Sequence, residues 1–269
     1  MQWNEILKES QLTGFTPSQI FQEQMQKAVL TSMSRQNVFR NLVFQGGTAL
    51  RIFYNNPRFS EDLDFALIQN AETLDIEKIL TKSTSFISSF FPFLQQVTGQ
   101  MQKKDDLLQR YVLTTQSNIA EQQIRLHVEV ALIPSYHHEL RILSFPTLQP
   151  VVRVEAREEI LADKLLALGC RLYLKGRDLW DIYFLTKEQE LSVNWELIWK
   201  KAHDYNEKTQ QVQKRLQKIA TTLDTQGTAI LDTEMKRFLP PSMFSTYQDM
   251  FRDVIEQVKK IIGSMEESL

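Results

Sequence analysis

The chain lacks three features that would assign it to particular classes of protein. It has a single cysteine, Cys170, which excludes an internal disulfide and a thiolate cluster for zinc or iron–sulfur. No apolar run approaches the roughly 18 residues that a membrane helix needs. Neither charge dominates, with 31 basic and 33 acidic residues, so a broadly basic nucleic-acid coat is excluded. These absences favour a protein of the reducing cytoplasm that has no membrane partner.

The composition that is present is typical of a folded protein. Of the 269 residues, 42% are hydrophobic and 24% are charged, which excludes a disordered or collagen-like chain. This length predicts one large domain or two modest ones. The first ten residues are polar and acidic, so we expect no secretory signal peptide.

Strand, helix and turn patterns alternate through the first half of the chain. Predicted strands fall at 42–44, 61–67 and 124–132, with a hairpin over 95–118. Predicted helices fall at 17–40, 48–54 and 72–94, the first of them capped by Thr16-Pro17. These patterns predict an α/β fold, a mixed sheet flanked by helices, over residues 1–150.

The second half, residues 151–269, is predicted to be a helical bundle. Its first helix shows a stripe expected to be buried, formed by Leu161, Leu165, Leu168 and Leu172. A later group of basic residues either contacts RNA phosphates or forms a solvated helix face; it consists of Lys200, Lys201, Lys208, Lys214, Arg215 and Lys218.

Asp62 and Asp64 are the most informative pair of charged residues. Leu63 and Phe65 lie on the other face of their predicted strand, so the two carboxylates share one side of a core strand. Like charges beside apolar neighbours repel strongly, and a divalent cation between them relieves that repulsion. An arbitrary Asp-x-Asp is more often a solvent-facing pair. Here the surrounding residues favour Mg²⁺, with Mn²⁺ as the alternative ion.

Two further features support a site at this strand. Glu129 supplies a third carboxylate on the polar face of the strand over 124–132, and three such groups can hold two metal ions. Gly46, Gly47 and Thr48 stand between a predicted strand and a predicted helix, where backbone N–H groups can bind a triphosphate. Together these residues predict a minimal site for nucleotidyl transfer.

Two segments then make a more specific resemblance visible. GGTALRIFYNNPRFSEDLDFAL (46–67) and ILADKLLALGCRLYLKGRDLWDIYFL (160–185) resemble the AbiEii/AbiGii toxin family, a MenT-like branch of the polymerase-β-like nucleotidyltransferases. The resemblance implies a polymerase-β-like core and a C-terminal helical bundle that closes the cleft. The superfamily pattern has Gly-Ser before its acidic pair, whereas this chain has Gly47-Thr48 and a longer spacer. Thr48 offers a side-chain hydroxyl, as the serine of that pattern does.

The resemblance implies roles for residues in the first segment and in the strand of Glu129. The implied metal ligands, which are also catalytic, are Asp62, Asp64 and Glu129. The residues expected to cradle the phosphates are Gly46, Gly47 and Thr48. Ser60 matches a family serine at the edge of the site, although it is also readily explained as a turn serine.

The remaining implied roles concern cations and acids. Lys164 would neutralise charge on the triphosphate, and Asp178 would help to position the nucleotide. Asp181 either contacts the nucleotide or ties a cation such as Lys164 in place. Arg58 either reaches a phosphate or pairs with Glu61.

The expected reaction is Mg²⁺-dependent transfer of a nucleoside monophosphate from an NTP to an acceptor hydroxyl. The family resemblance implies the toxin of a bacterial toxin–antitoxin or phage-defence pair, with a cognate antitoxin as partner and the tRNA 3′ end as the leading acceptor. Alternatives are modification of a small molecule, modification of a protein, and a non-catalytic module that binds NTP.

Overall fold

The computed structural model describes residues 1–72, 74–119 and 123–265. Residue 73 of the predicted helix over 72–94 and residues 266–269 of the predicted helical domain lie outside these ranges. The chain divides into two compact units. The first consists of Met1–Asn55 and Phe59–Glu155, and the second of Asn56–Arg58 and Ala156–Leu269.

The first unit is built on a mixed sheet that is seven-stranded in the described residues. Its strands are β1 (Leu42–Gln45), β2 (Leu63–Ile68), β3 (Leu94–Lys104), β4 (Leu108–Ser117), β5 (Arg125–Ser135), β6 (His138–Ile142) and β7 (Val151–Glu155). Its helices are α1 (Trp3–Thr13), α2 (Pro17–Arg35), α3 (Gly46–Phe53) and α4 (Ile76–Phe90). The predicted mixture of sheet and helices is confirmed.

The strand order is β3-β4-β5-β2-β1-β7-β6. The strand β2 runs parallel to β5, and β1 runs parallel to β7, whereas the other neighbours are antiparallel. An interior strand needs apolar side chains on both faces, which explains the continuous run Leu42-Val43-Phe44 in β1, whose three side chains are all buried.

The structure differs from the sequence prediction at several boundaries. Helix α2 ends at Arg35 rather than near residue 40, because Asn37 adopts a left-handed backbone (φ 58°). Strand β5 continues through Pro134 to Ser135. Strands β6 and β7 were not predicted, since each has only five residues, too few for a clear alternation.

The described part of the second unit consists of helices and the loops that connect them, together with the short segment Asn56–Arg58. Its helices are α5 (Arg157–Cys170), α6 (Gly176–Tyr183), a π-helical turn (Phe184–Glu188), α7 (Trp195–Asp204), α8 (Thr209–Phe238), α9 (Pro241–Gln248) and α10 (Phe251–Gly263). No helix in the described ranges is both long enough and apolar enough to cross a membrane.

Two sequence predictions about this unit are wrong. Leu172 does not extend the buried stripe, because α5 ends at Cys170 and Leu172 is 92% exposed. Lys201 does not lie on a solvated or RNA-binding face. It is buried, and its ammonium pairs with Glu159 and Asp163.

Candidate active site

The glycine pair forms the first turn of helix α3 rather than a separate turn before it. Gly46 opens the helix directly after β1 with a φ of 79°, a left-handed conformation that favours glycine. A Cβ atom at this position would lie 2.7 Å from Oδ2 of Asp64. The backbone at the start of α3 and the Asp64 carboxylate are therefore in close contact, with no room for a side chain between them.

Thr48 connects the same helix to the strand of the aspartates. Its buried hydroxyl donates a short hydrogen bond to the backbone carbonyl of Asp62. The hydroxyl predicted to help cradle phosphate therefore fixes the chain where it enters β2. The groups that could still bind an anion are the backbone amides of the first turn, at Gly46, Gly47 and Thr48. These N–H groups have no acceptor within the helix itself.

The pairing of β2 with β5 brings the three predicted carboxylates to neighbouring positions. Asp64 is paired in register with Glu129, and Asp62 comes one residue before β2 begins. His127 lies beside Asp62, with its Nδ1 atom 3.4 Å from Oδ1 of the carboxylate.

Arg110 contacts a predicted site residue, and the sequence did not reveal this contact. It lies on β4 in register with Glu129, and its Nε atom donates a 2.7 Å hydrogen bond to Oε1 of that carboxylate. Both side chains are partly exposed. The predicted hairpin over 95–118 includes Arg110, but only the register of β4 against β5 brings this residue to Glu129, and the sequence does not determine that register.

The donor set suits a metal ion that is shared with a substrate. In the part of the chain that the structure describes, no three His, Cys, Asp or Glu side chains are grouped so as to hold an ion by themselves. Asp62 and Asp64 nevertheless offer carboxylate oxygens at the start of β2. Mg²⁺ is usually bound through one or two carboxylates together with water and substrate phosphates. The residues therefore fit such an ion, while metal ligation by Glu129 stays a prediction.

A second cluster of charged residues lies entirely in the second unit. The Nζ atom of Lys164, on α5, is 3.1 Å from Oδ1 of Asp178 and 2.8 Å from Oδ2 of Asp181, both on α6. Arg171 also forms a short ion pair with Asp178. Burial lowers the pKa of Lys164, and the charge of Asp181 opposes that effect. Asp178 and Asp181 are themselves buried, so their carboxylates hold cations in place.

Asp181 also anchors the three-residue segment of the second unit. The Nε and Nη2 atoms of Arg58 donate hydrogen bonds of 2.6 Å to its two carboxylate oxygens. Asn56 donates to Asp181 and accepts from the indole of Trp180, at 2.9 and 3.0 Å. Burial alone would raise the pKa of Asp181, but the charges of Arg58 and Lys164 hold it well below its usual value.

The predicted site residues therefore fall into two groups, one in each unit. The first unit contains Gly46, Gly47, Thr48, Ser60, Asp62, Asp64 and Glu129, and the second contains Arg58, Lys164, Asp178 and Asp181. Ser60 is buried, and its backbone carbonyl accepts a hydrogen bond from Gln26. For Arg58 the sequence offered a phosphate or Glu61 as partner, and the structure pairs its guanidinium with Asp181.

Comparisons with known proteins agree with this fold. Among solved structures, JHP933 from Helicobacter pylori is similar at a TM-score of 0.57 and 20% identity, covering 94% of this chain and 97% of that one. A second structure, described as a candidate nucleotidyltransferase of H. pylori, has the same TM-score and identity and covers 93% and 97%. At this identity the likeness shows a common fold. The comparison with curated proteins finds no match.

A family comparison covers most of the chain. The model for the nucleotidyl transferase AbiEii toxin of type IV toxin–antitoxin systems matches residues 28–257. That range includes every predicted site residue of both groups. The chain accordingly belongs to the AbiEii family of toxin nucleotidyltransferases.

Proposed function

We propose that this protein transfers a nucleoside monophosphate from an NTP to a hydroxyl at the 3′ end of tRNA, with Mg²⁺ (or Mn²⁺) as the cofactor. One observation carries the proposal. The Asp64 carboxylate lies directly over Gly46, at the start of a helix whose first amides face outward from its end. An acid that binds a cation and a helix end that binds an anion are thus adjacent, as a metal–triphosphate complex requires.

The bound metal would supply Lewis-acid stabilisation of the phosphates and a more acidic acceptor hydroxyl. Asp62 and Asp64 would hold it, and Thr48 orients the first of them by binding its backbone carbonyl. The amides at Gly46 and Gly47 would receive phosphate oxygens. Arg110 holds the Glu129 carboxylate, which would join the site as the third predicted ligand.

Lys164 has the proposed role of offsetting the charge of the triphosphate. Because Asp178 and Asp181 are buried and bind its ammonium, we assign them as positioning residues for Lys164 rather than as contacts to the nucleotide. This assignment replaces the direct nucleotide contact predicted for Asp178, and it extends the alternative role predicted for Asp181.

Membership of the family supports a proposal for the biological role. We propose that the chain is the toxin of its pair in the bacterial cytoplasm, that a cognate antitoxin counteracts it, and that tRNA is its acceptor. A small-molecule acceptor and a protein acceptor, including the chain itself at Ser60, use the same donor chemistry. A module that only binds NTP would share the fold without turnover.

Labelling with NTP separates these functions. The protein is incubated in turn with each NTP radiolabelled at the α-phosphate, together with Mg²⁺ and total cellular RNA and protein. We expect label on tRNA with wild type and none with Asp64→Asn, whereas Asp106→Asn, an exposed acid of the β3–β4 hairpin, serves as the matched control and labels normally. Label on a polypeptide or a small molecule would refute the tRNA acceptor, and labelling by Asp64→Asn would refute the site.

A further inference from the structure

The outermost strand of the sheet carries an exposed apolar surface. In the described residues, β6 is the last strand at one end of the sheet, beyond β7. Leu140 and Ile142 on β6 are 59% and 64% exposed, and Val151, the register partner of Ile142, is 44% exposed. An open strand edge beside exposed aliphatic side chains is a template for pairing with another strand.

The backbone of β6 is oriented for such pairing. Leu143 follows β6 directly, and Pro150 comes directly before β7. The N–H of Leu143 donates to the carbonyl of Pro150, at 2.9 Å, so Leu143 faces the β7 side. In an antiparallel ladder successive residues alternate between facing the partner strand and facing away from it. Leu140 and Ile142 therefore direct their N–H and C=O groups away from β7, toward the outer edge.

The sequence of β6 is complementary to itself in one antiparallel register. If two copies pair about a two-fold axis at Leu140, that residue lies opposite its own copy, and Glu139 lies opposite Arg141 of the other chain. A shift by two residues would instead place Glu139 opposite Glu139 or Arg141 opposite Arg141. A shift by one would pair charged with apolar residues. Cross-strand pairs of opposite charge stabilise a ladder, and like charges destabilise it.

The charged side chains are already held on one face. Arg141 pairs with Glu139 at 2.6 Å, and its guanidinium stacks on the ring of Tyr54, 4.4 Å from the centroid. The hydroxyl of Tyr54 also donates to the Glu139 carboxylate. The side chains of Glu139 and Arg141 are therefore held next to each other by these contacts. A second copy would pair with side chains that are already positioned.

We propose that β6 is a homodimer interface, in which two copies of this chain pair His138–Ile142 antiparallel about a two-fold axis at Leu140. The second copy is the occupant that fits, because the charge pattern of β6 complements its own sequence and an isologous two-fold contact covers the β6 edge of both copies at once. Because β6 has only five residues, the contact is small for a protein–protein interface, so we expect a reversible dimer with a dissociation constant on the order of micromolar rather than an obligate assembly. The inference is independent of the catalytic proposal.

Charge reversal tests the register directly. Sedimentation velocity of the full chain should show the weight-average mass rising with concentration toward twice the 31.5 kDa of one chain. Glu139→Arg and Arg141→Glu should each weaken dimerisation about tenfold or more, because each sets like charges opposite one another. The double variant should regain wild-type association, and a mixture of the two single variants should form heterodimers.

Circular dichroism of each variant establishes that it is folded, and Lys218→Glu, an exposed reversal on α8, controls for the change in net charge. Heterodimers in the mixture would themselves show that both single variants fold correctly. A wild-type chain that stays monomeric throughout the micromolar range, or single variants that dimerise as wild type does, would overturn the proposal.

Discussion

Replacing Gly46 by alanine tests the contact on which the proposed site depends. The substitution places a methyl group in a backbone conformation with φ 79° and 2.7 Å from Oδ2 of Asp64. A left-handed conformation costs an alanine about 1–2 kcal/mol. The methyl group must in addition displace either the carboxylate or the start of α3, since 2.7 Å is shorter than any ordinary contact with carbon.

We expect Gly46→Ala to destabilise the fold by roughly 1–3 kcal/mol, measured by urea denaturation. Nucleotidyl transfer should fall further than stability explains, by about a hundredfold, because a displacement near 1 Å disrupts alignment of the reacting groups. Gly263→Ala is the matched control, since a Cβ atom there meets nothing within 4 Å. Full activity and unchanged stability in Gly46→Ala would show that the close contact with Asp64 has no functional role.

Three further predictions concern the charged residues. Asp181→Asn should cost about 3–5 kcal/mol of unfolding free energy at neutral pH, because two buried cations lose their carboxylate. The pKa of Asp181 is lowered in the folded protein, so the wild type should lose this stabilisation only as the pH falls below about 4. Denaturation curves measured over a series of pH values should show that loss in the wild type and not in Asp181→Asn. Lys201→Met should cost about 3–5 kcal/mol, because a buried acid is left unpaired, against less than about 0.5 kcal/mol for the exposed Lys236→Met. Arg110→Leu should change the unfolding free energy by less than about 1 kcal/mol, because the ion pair of Arg110 with Glu129 is partly exposed. The same substitution should shift the Mg²⁺ concentration needed for half-maximal labelling. An unchanged Mg²⁺ requirement would place Arg110 outside the site.

Local patterns were sufficient to predict the central motif of the first unit. The apolar run of β1, the glycines that follow it and the alternation around Asp64 are all contained in a short stretch of chain, so β1, α3 and β2 could be read in order. The adjacency of Asp64 and Glu129 was also expected, because both lie on the polar faces of clear strands. The β2–β5 register supports that expectation.

The pairings that could not be predicted join residues far apart in the chain. Arg58 and Asp181 are 123 positions apart, and their contact depends on how a short loop packs against α6. Arg110 reaches Glu129 through a strand register that composition does not determine. Lys201 looked like one of several surface lysines, since periodicity does not show which of them faces a buried acid. Each of these contacts results from tertiary packing rather than from local propensity.

The segment Asn56–Arg58 packs with the second unit, although α3 before it and β2 after it belong to the first. A fragment that ends at Glu155 would retain Arg58 but lose the acid that neutralises it, and the complementary helical fragment would retain Asp181 without its guanidinium. Each fragment would therefore contain a charged residue without its partner in this buried ion pair. Cutting the gene at the apparent domain boundary should therefore yield two poorly folded products.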